Sequence, residues 1–532
     1  MINVSIPNAK ERPPASLLKQ LQVLAGEKNY QAALALLAEE NSQDLNNAEV
    51  CNIAGACAFS VGELVQAEHY WRRALAIKPN YYAVSSDLGV LLEKLGQLAE
   101  AENCYRQALN VKPNFAEAHC NLGDLYEQQK RFSEAETCYR QALQYNPHLA
   151  EVHGNLGNMY LSLRRLSEAE ASYRQALAIK PDYANADWGL SQVLLLRGEF
   201  AEGWRRHEAR YQAGFIEPNT FPPRHLSFPQ WQGQSLLGKS ILIWTEQGYG
   251  DQIQFCRYAA ELKSQGAKRV TIVCAAALVT LFKSLAQVDA VMSTEAAGAK
   301  LKQHDYWVLI LSLPFYCGTR LETIPAVLPY LHAEKKLIRK WSAVMPKCGL
   351  RVGLVWKGSK THKNDVQRSL PSLQTLASLW HIPDLVFISL QKGQGEDEAA
   401  NPPPTQALLH LGGKMADFAD AAAIISQLDL VICVDTAAAH LAGALQRPCW
   451  VLLPWHNADW RWLLDRNDSP WYPGVLRLFQ QQVDGDWTAV VNEVAWALQS
   501  WRLDQLHSGG PLRQKSNGIV GNLLTLLGVT SP

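Results

Sequence analysis

A glycine-rich stretch with one carboxylate, EQGYGDQIQF (246–255), is the first segment whose residue types are suited to chemistry. Gly248 and Gly250 permit the backbone to come close to a ligand. Asp251 opens an expected helix, where it would cap the helix or face a cleft and accept a proton from a hydroxyl. The two roles do not exclude each other. The third glycine and the later acid of a dinucleotide-binding fingerprint are missing.

A second stretch, WKGSKTHKNDVQRS (356–369), gathers cationic side chains around Gly358. Arg368 offers a planar fork of donors that suits a diphosphate. The other basic residues of this stretch are Lys357, Lys360, His362 and Lys363. A solvated surface loop would have a similar composition, so both interpretations stay open.

A third stretch, VDTAAAHLAGALQRP (434–448), runs from an apolar strand directly into a helix of small residues. Small side chains at Thr436 and Ala437 would leave the first amides of the helix open, and the helix dipole favours an anion there. Asp435, at the end of the strand, could accept hydrogen bonds from sugar hydroxyls. Small residues also let a helix pack tightly on a sheet, which is the structural alternative.

Alternating strands and helices are expected to position these three stretches. Short apolar segments alternate with amphipathic ones from residue 239 onward, which predicts parallel sheets with right-handed crossovers. We expect a front Rossmann-like lobe over 239–340 and a back lobe over 349–502. Ligands of such sheets bind beyond the carboxyl ends of the strands, so the cleft between the lobes is the expected site.

Other segments that resemble functional motifs have plainer interpretations. GQSLLGKS (233–240) matches a phosphate-binding loop in letters, but a strand follows it instead of the required helix. DGD (484–486) matches a metal motif of some sugar transferases, yet Asp486 is better placed as a helix N-cap, and we predict no metal site. Most tryptophans of 454–473 are expected to pack the loop onto the core. They are Trp455, Trp460, Trp462 and Trp471.

The N-terminal part of the chain repeats itself every 34 residues. The prolines at 79, 113, 147 and 181 keep this step, as do the glycines at 55, 89, 123 and 157. An aromatic residue recurs likewise, at Trp71, Tyr105, Tyr139 and Tyr173. This period predicts paired helices in which the small residues allow close approach, the aromatic fills the space between repeats and the proline ends the second helix.

This pattern resembles the tetratricopeptide repeat over residues 14–212, with the first and last units degenerate as terminal caps often are. A Pro-rich linker is expected over 213–238 and a C-terminal tail over 503–532. Such an α-solenoid winds into a superhelix whose groove binds extended peptide. Groove-lining positions hold Asp87, Asn121 and Asn155, although these can equally be tolerated surface residues.

Composition excludes several classes of protein. Lys and Arg together number 50, and so do Asp and Glu, which argues against nucleic acid or an anionic membrane as the main partner. No stretch approaches the ~20 apolar residues that span a bilayer, and the N-terminus lacks the apolar core of a secretory signal. Eleven scattered cysteines fit a reducing cytoplasm better than a disulfide framework.

The region from about 239 to 500 resembles the ADP-heptose:lipopolysaccharide heptosyltransferase family. The similarity rests on Gly250-Asp251 at the first helix and on VDTAAAHLAGALQRPCWVLLP in the back lobe. Repeats ahead of a two-lobed transferase are also similar to the O-linked N-acetylglucosamine transferases. The histidine-rich front-lobe motifs of those enzymes have no convincing match here.

The resemblance implies a GT-B fold that uses a nucleotide-sugar as co-substrate, bound by the back lobe, and needs no metal or other cofactor. It assigns Asp251 as general base, and it assigns Asp435, Thr436 and His440 to the donor sugar and diphosphate. The family's basic residue corresponds to Arg368. Its usual Lys-x-Trp-Pro reads Arg-Ser-Leu-Pro here (368–371), which leaves the donor undefined.

These observations lead to one function and two alternatives. The expected function is a cytoplasmic glycosyltransferase whose repeats bind a protein or peptide that carries the acceptor hydroxyl. The main alternative is a non-catalytic scaffold with a degenerate transferase-like domain, since fold alone does not establish function. A nucleotide-sugar epimerase lacks its expected acidic and histidine residues in the front lobe.

Overall fold

A computed structural model describes residues 17–39, 46–212, 226–301, 303–362, 364–456 and 458–507. Residues 14–16 and 40–45 of the expected repeats, 213–225 of the linker, Lys302, Lys363, Asn457 and most of the tail (508–532) lie outside this part. The chain divides into two compact units. One comprises the residues up to Tyr160 together with Ser167–Tyr183, and the other comprises Leu161–Leu166 and the chain from Ala184 onward.

The first unit consists of helix pairs, as the 34-residue period predicts. Each of the recurring prolines follows the second helix of a pair by two residues, because proline cannot continue it. The helices are α1 (Leu17–Gly26), α2 (Tyr30–Glu39), α3 (Ala48–Val61), α4 (Leu64–Ile77), α5 (Tyr82–Lys94), α6 (Leu98–Val111), α7 (Ala116–Gln128), α8 (Phe132–Tyr145), α9 (Ala150–Ser162) and α10 (Leu166–Ile179).

The recurring glycine and aromatic residue are partners in one contact. A Cβ atom at the signature glycine would lie 2.5 to 2.7 Å from the aromatic ring of the following helix, too close for any residue but glycine. The contacts are Gly55 with Trp71, Gly89 with Tyr105, Gly123 with Tyr139 and Gly157 with Tyr173. The aromatic therefore packs within its own helix pair, whereas we expected it to fill the space between repeats.

The last repeat belongs to the second unit. Its helices are α11 (Ala184–Leu196) and α12 (Phe200–His207), followed by a 3₁₀ turn. The Trp204 ring lies 5.0 Å from Trp460 and 6.5 Å from Trp471. Arg210 pairs with Glu246 at 3.3 Å, and both side chains are buried. The departures from the repeat signature are thus explained by packing on the α/β region.

The described end of the expected linker is also part of the α/β region. The Trp231 amide donates to the Trp307 carbonyl at 2.7 Å, so this segment extends the edge of the front sheet. Phe228 and Trp231 are buried. The expected boundary at 238 therefore lies inside the front lobe, because these apolar side chains cover the sheet.

Four parallel strands form the front sheet, in the order β3-β2-β1-β4. They are β1 (Ser240–Trp244), β2 (Arg269–Cys274), β3 (Ala290–Ser293) and β4 (Tyr306–Leu309). The accompanying helices are α13 (Tyr249–Phe255), α14 (Tyr258–Ser264), α15 (Val279–Phe282), α16 (Thr294–Lys300), α17 (Leu313–Tyr316) and α18 (Lys335–Ser342). The helix expected over 251–267 is divided into α13 and α14.

Six parallel strands form the back sheet, in the order β10-β9-β8-β5-β6-β7. They are β5 (Leu350–Val355), β6 (Leu385–Ser389), β7 (Leu409–His410), β8 (Leu430–Val434), β9 (Cys449–Leu453) and β10 (Leu476–Gln480). The helices are α19 (Asp365–Arg368), α20 (Glu396–Ala400), α21 (Phe418–Ile425), α22 (Ala437–Ala444) and α23 (Trp487–His507). Helix α23 continues past 502, where we expected the tail to begin.

Both sheets have the strand order of a dinucleotide-binding fold. Counted from its own first strand, the front sheet reads 3-2-1-4 and the back sheet reads 3-2-1-4-5-6. The order reverses between β1 and β4 in one sheet and between β5 and β8 in the other. Ligands bind at such reversal points, beyond the strand ends. The three stretches singled out in the sequence follow β1, β5 and β8.

Candidate active site

The loop after β1 presents Asp251 on the first turn of α13. Gln247 has a left-handed backbone (φ 61°), which turns the chain into the helix, and Gly248 is the N-cap. Asp251 is the third helical residue, and its Oδ2 accepts the Gly248 amide at 2.9 Å. The expectation that Asp251 is itself the N-cap is therefore corrected. A carboxylate at the third position of a helix can still accept a hydrogen bond from an otherwise unpaired amide at the helix start.

Buried polar side chains brace this loop from both ends. Glu246 accepts the Tyr211 hydroxyl at 2.5 and 2.7 Å and the Leu311 amide at 3.1 Å. Gln252 accepts the Thr245 hydroxyl and the Ala275 amide, each at 3.0 Å. The loop is consequently held by partners on its own lobe and on the last repeat.

Arg461, in the loop after β9, binds the other oxygen of Asp251 through Nη2. Its Nη1 donates to Asp459 Oδ2 at 2.7 Å, and its Nε donates to Gln254 Oε1 at 2.7 Å. The pKa of Asp251 is raised above its ordinary value, chiefly by burial. The charge of Arg461 opposes this rise, and the charge of Asp459 adds to it. The carboxylate thus faces the back lobe from a desolvated position.

The junction between β8 and α22 is more open. Thr436 is the N-cap of α22, but its side chain makes no capping hydrogen bond. Its buried Oγ1 has the Cys433 thiol as a weak partner and no other hydrogen-bond partner among the described residues. Ala437 and the alanines after it place no polar side chain over the helix start. This arrangement provides amide donors and a hydroxyl for an anionic or hydroxylated ligand.

His440 joins the two junctions. Its Nδ1 lies 3.0 Å from the Tyr472 hydroxyl, and its ring stacks on Trp462 at 5.4 Å. A Cβ atom at Gly250 would lie 2.9 Å from His440 Cδ2 and 3.7 Å from Ala437 Cα. At Gly250 we expected the close approach of a ligand. The structure instead places His440 and Ala437 of the back lobe there. Burial, Arg461 and Arg257 lower the pKa of His440 well below its ordinary value, so the ring is neutral.

The loop after β5 folds Arg368 back over Gly358. A Cβ atom at Gly358 would lie 2.8 Å from Arg368 Nη2 and 2.7 Å from Asp365 Oδ1. The Ser369 hydroxyl donates to Asp365 at 2.8 Å and accepts the Gly358 amide at 2.9 Å, which fixes the loop. Lys357 pairs with Glu398 at 2.5 Å, whereas Arg368 lies 3.7 Å from Asp365, so Arg368 is the better candidate for a ligand.

Asp435 lies within electrostatic reach of the other candidate groups. Burial and Asp459 raise its pKa to about 6, while the Trp462 indole, Arg368 and Arg461 oppose the rise. The structure therefore brings together the predicted residues of three separate stretches. They are Gly250, Asp251, Arg368, Asp435, Thr436, Ala437 and His440. Gly248 and Gly358 shape the loops that carry them.

Four further residues of this site were missed in the sequence. Gln254, Asp459 and Arg461 form the polar group around Asp251, and Tyr472 bonds to His440. All but Gln254 lie in the segment 454–473, which was noted only for its tryptophans. Trp460, Trp462 and Trp471 are buried, which confirms packing as their role. The signal in the sequence that could have indicated Asp459 and Arg461 is their spacing, with one tryptophan between them.

Two further motifs, DGD and GQSLLGKS, lie in the structural contexts that the sequence predicts. The Ala489 amide donates to Asp486 Oδ1 at 3.0 Å, which confirms Asp486 as the N-cap of α23. Strand β1 directly follows GQSLLGKS. Within the ranges that the structure covers, no group of three or more His, Cys, Asp or Glu side chains is arranged to hold a metal ion.

The repeat residues lie together in the first unit. Asn155 Nδ2 donates to Asp124 Oδ1 at 2.7 Å, and Asn121 Nδ2 donates to Ser86 Oγ at 3.3 Å. Two neighbouring cavities of about 390 and 510 Å³ are lined by these asparagines and by Glu93, Asp124 and Glu127. Desolvation raises the pKa of Asp87 to about 6, although part of its side chain is accessible.

None of the described helices is long and apolar enough to cross a membrane.

Family models match both regions of the chain. Residues 94–130 match a TPR repeat model, and residues 116–149 and 150–183 match the tetratricopeptide repeat. Residues 385–453 match glycosyltransferase family 9 (heptosyltransferase). The last match runs from β6 to β9 and includes Asp435, Thr436, Ala437 and His440.

Relatives of the chain share parts of it. Protein FlbA of Caulobacter vibrioides is 28% identical over 334 residues, which cover 58% of this chain and 54% of FlbA. The chain thus spans about half the length of that curated relative. The MamA RS-1 double mutant is 19% identical, with a TM-score of 0.29 over 31% of this chain and 96% of its own. The pilF protein of Pseudomonas aeruginosa is 22% identical, with a TM-score of 0.31 over 32% of this chain and 78% of its own. The chain carries tetratricopeptide repeats in its N-terminal half, followed by a C-terminal α/β region with a glycosyltransferase family 9 (heptosyltransferase) domain.

Proposed function

We propose that this protein transfers a sugar from a nucleotide-sugar donor to an acceptor hydroxyl, without a metal, between two lobes of GT-B type. The observation that carries the proposal is the contact of the two junctions. Gly250, next to Asp251, touches His440 and Ala437 at the start of α22. A carboxylate and the start of α22 therefore lie next to each other where the two lobes touch.

The donor is assigned to the back lobe. The amides of Ala437 and Ala438, together with the Thr436 hydroxyl, would receive the diphosphate. Arg368 would add a charge-assisted contact. Asp435 and neutral His440 would take hydroxyls of the sugar or ribose. Negative charge grows on the diphosphate as it leaves, and these preorganised donors would stabilise it.

The acceptor is assigned to the front lobe. Asp251 would take the proton of the acceptor hydroxyl as the acceptor oxygen bonds to the anomeric carbon. The bond between that carbon and the diphosphate oxygen breaks in the same step, and its electron pair leaves with the nucleotide. One carboxylate is enough for this role when it is ionised and within hydrogen-bond reach.

The experiment that tests donor use is thermal unfolding of the purified protein against a panel of nucleotide sugars. A donor that binds the folded state raises the unfolding temperature in a saturable way. We expect at least one nucleotide sugar to do so, and its nucleoside diphosphate to do so as well. No shift with any member of a broad panel would refute the assignment.

A non-catalytic scaffold is the second candidate, and one observation favours it. Arg461 already occupies one oxygen of Asp251, and the Gly248 amide occupies the other. A scaffold would bind without turning over its donor. Release of nucleoside diphosphate from the stabilising donor, followed over time, separates this candidate from the enzyme.

The repeats are proposed to bind the peptide that carries the acceptor, in a reducing cytoplasm where the described cysteines stay free. Asn121 and Asn155 would exchange their internal partners for peptide backbone, and Asp87 would contribute beside them. Once an acceptor is known, Asn155→Ala should weaken its binding several-fold by fluorescence anisotropy. Asn110→Ala, on the exposed face of α6, is the matched control. Equal binding by both variants would refute the assignment.

A further inference from the structure

Arg461 has a hydrogen-bond partner at each of its three guanidinium nitrogens, and Asp251 is one of these partners. Its three nitrogens bind Asp251 and Gln254 of the front lobe and Asp459 of its own loop. Its guanidinium lies 4.4 Å from the centre of the Trp460 ring and 5.5 Å from that of Phe255. The side chain is 10% exposed. A guanidinium that lies against two aromatic rings and has a partner at each of its nitrogens is held in one orientation.

The charges around Asp251 explain what this orientation achieves. Glu246, on the strand side of the same loop, and Asp459, across the cleft, both oppose ionisation of Asp251. His440 faces the neighbouring Gly250 as a neutral ring. Arg461 and the Gly248 amide are the groups that favour the charged form. Without Arg461, a desolvated carboxylate would remain beside two like charges, which favours its protonation.

We infer that Arg461 is a positioning residue for sugar transfer: it keeps the Asp251 carboxylate ionised and oriented towards the cleft. The inference rests on the proposed function for its catalytic consequence. Each carboxylate oxygen has two acceptor sites, so the ion pair leaves a site for the acceptor hydroxyl. Arg461 itself need not touch the substrate. A merely structural Arg461 would hold the loop without changing the protonation of Asp251.

The pH dependence of kcat/KM distinguishes these two roles. Arg461→Met should move the acidic limb of the profile to higher pH by about one unit or more, because an opposite charge within reach lowers a carboxyl pKa by that amount. Activity should recover in part as the pH is raised. Arg461→Lys should keep the limb near its original position but lower kcat, because an ammonium cannot bind all three partners. Arg466→Met, which removes an exposed pair with Asp468, is the matched control.

An acidic limb that stays in place in Arg461→Met, with only a lower kcat, would overturn the inference. A double-mutant comparison gives a readout that needs no activity. Arg461→Met should lower the unfolding temperature strongly in the parent protein at pH 7 and less in the Asp251→Asn background, where residue 251 carries no charge to be left unpaired. Equal losses in both backgrounds would also overturn it. A wild type without transferase activity would refute the proposed function instead, and the unfolding comparison would still decide whether Arg461 sustains the charge of Asp251.

Discussion

The two strand-to-helix junctions of the site differ in how far their polar groups are paired. After β1, the side chains of Glu246, Gln252 and Asp251 find partners in the fold. After β8, the Thr436 hydroxyl has only the Cys433 thiol as a weak partner in the described part of the chain, and alanines follow. The polar side chains of the first junction are therefore paired, whereas the second junction has unused donors.

This difference suggests a division of work. A proton acceptor has to be held in one place and in one protonation state, which requires partners. A site for a diphosphate has to keep its amides and hydroxyls free until the ligand arrives. The same strand-turn-helix geometry serves both needs because its side chains differ. The predictions below test the division from its largest expected effect to its smallest.

Asp251→Asn should lower kcat about 10²- to 10⁴-fold, the usual contribution of a general base. The measurement is release of nucleoside diphosphate at saturating donor. Asp468→Asn, at an exposed carboxylate, should keep full activity. Turnover of Asp251→Asn at the wild-type rate would remove Asp251 from the mechanism.

Asp435→Asn should stabilise the protein increasingly as the pH rises. The folded pKa of about 6 exceeds the ordinary 3.8, so the folded state holds this proton more tightly than the unfolded chain. Ionisation then costs stability as the pH rises from about 4 to 6, and the full cost remains above that range. Asparagine removes it, with a gain of at most about 3 kcal/mol at pH 7, since one pKa unit is about 1.4 kcal/mol.

Urea unfolding of parent and variant between pH 4.5 and 7.5 measures this difference. Asp468 gives the opposite sign for comparison, because Arg466 lowers its pKa and Asp468→Asn should not gain stability with pH. A stability difference for Asp435→Asn that does not change with pH would contradict a desolvated carboxyl at the end of β8.

Gly250→Ala should destabilise the protein by about 1 to 3 kcal/mol, the usual cost of overpacking. Its new methyl group would meet His440 at 2.9 Å. Gly248→Ala is the matched control: φ is −73° there, and the methyl would meet only Asp251 Oδ2 at 3.2 Å. Equal unfolding temperatures for the two variants would mean that the junctions do not touch as described.

Thr436→Val should change the free energy of unfolding by less than about 1 kcal/mol, because its hydroxyl has only the weak contact with the Cys433 thiol to lose. Thr245→Val is its counterpart at the other junction. The Thr245 hydroxyl donates to Gln252 at 3.0 Å, so this variant should lose about 1 kcal/mol or more. A larger loss for Thr436→Val than for Thr245→Val would reverse the comparison.

Local patterns in the sequence predicted most of the architecture. Repeats 34 residues apart, apolar strands and the small residues at Thr436 and Ala437 are signals within a few residues of each other, and the structure follows them. The segment 226–238 was assigned to the linker because Pro229 and the prolines before it outweighed Phe228 and Trp231.

The residues of the site were harder to predict from local sequence patterns. Asp435, Thr436 and His440 lie in one segment, so one motif revealed them. Arg461 is separated from Asp251 by more than two hundred residues, and only the approach of the two lobes pairs them. The N-cap position of Gly248 likewise depends on the turn at Gln247. Long-range pairing and turn geometry are the features that a single sequence does not reveal.

Calorimetric titration of the stabilising nucleotide sugar into Asp251→Asn and Thr436→Val tests the division of work most directly. We predict that Asp251→Asn binds the donor as the wild type does, and that Thr436→Val binds it about tenfold more weakly through loss of one hydrogen bond to a charged ligand. Weakened binding by Asp251→Asn together with unchanged binding by Thr436→Val would contradict the account.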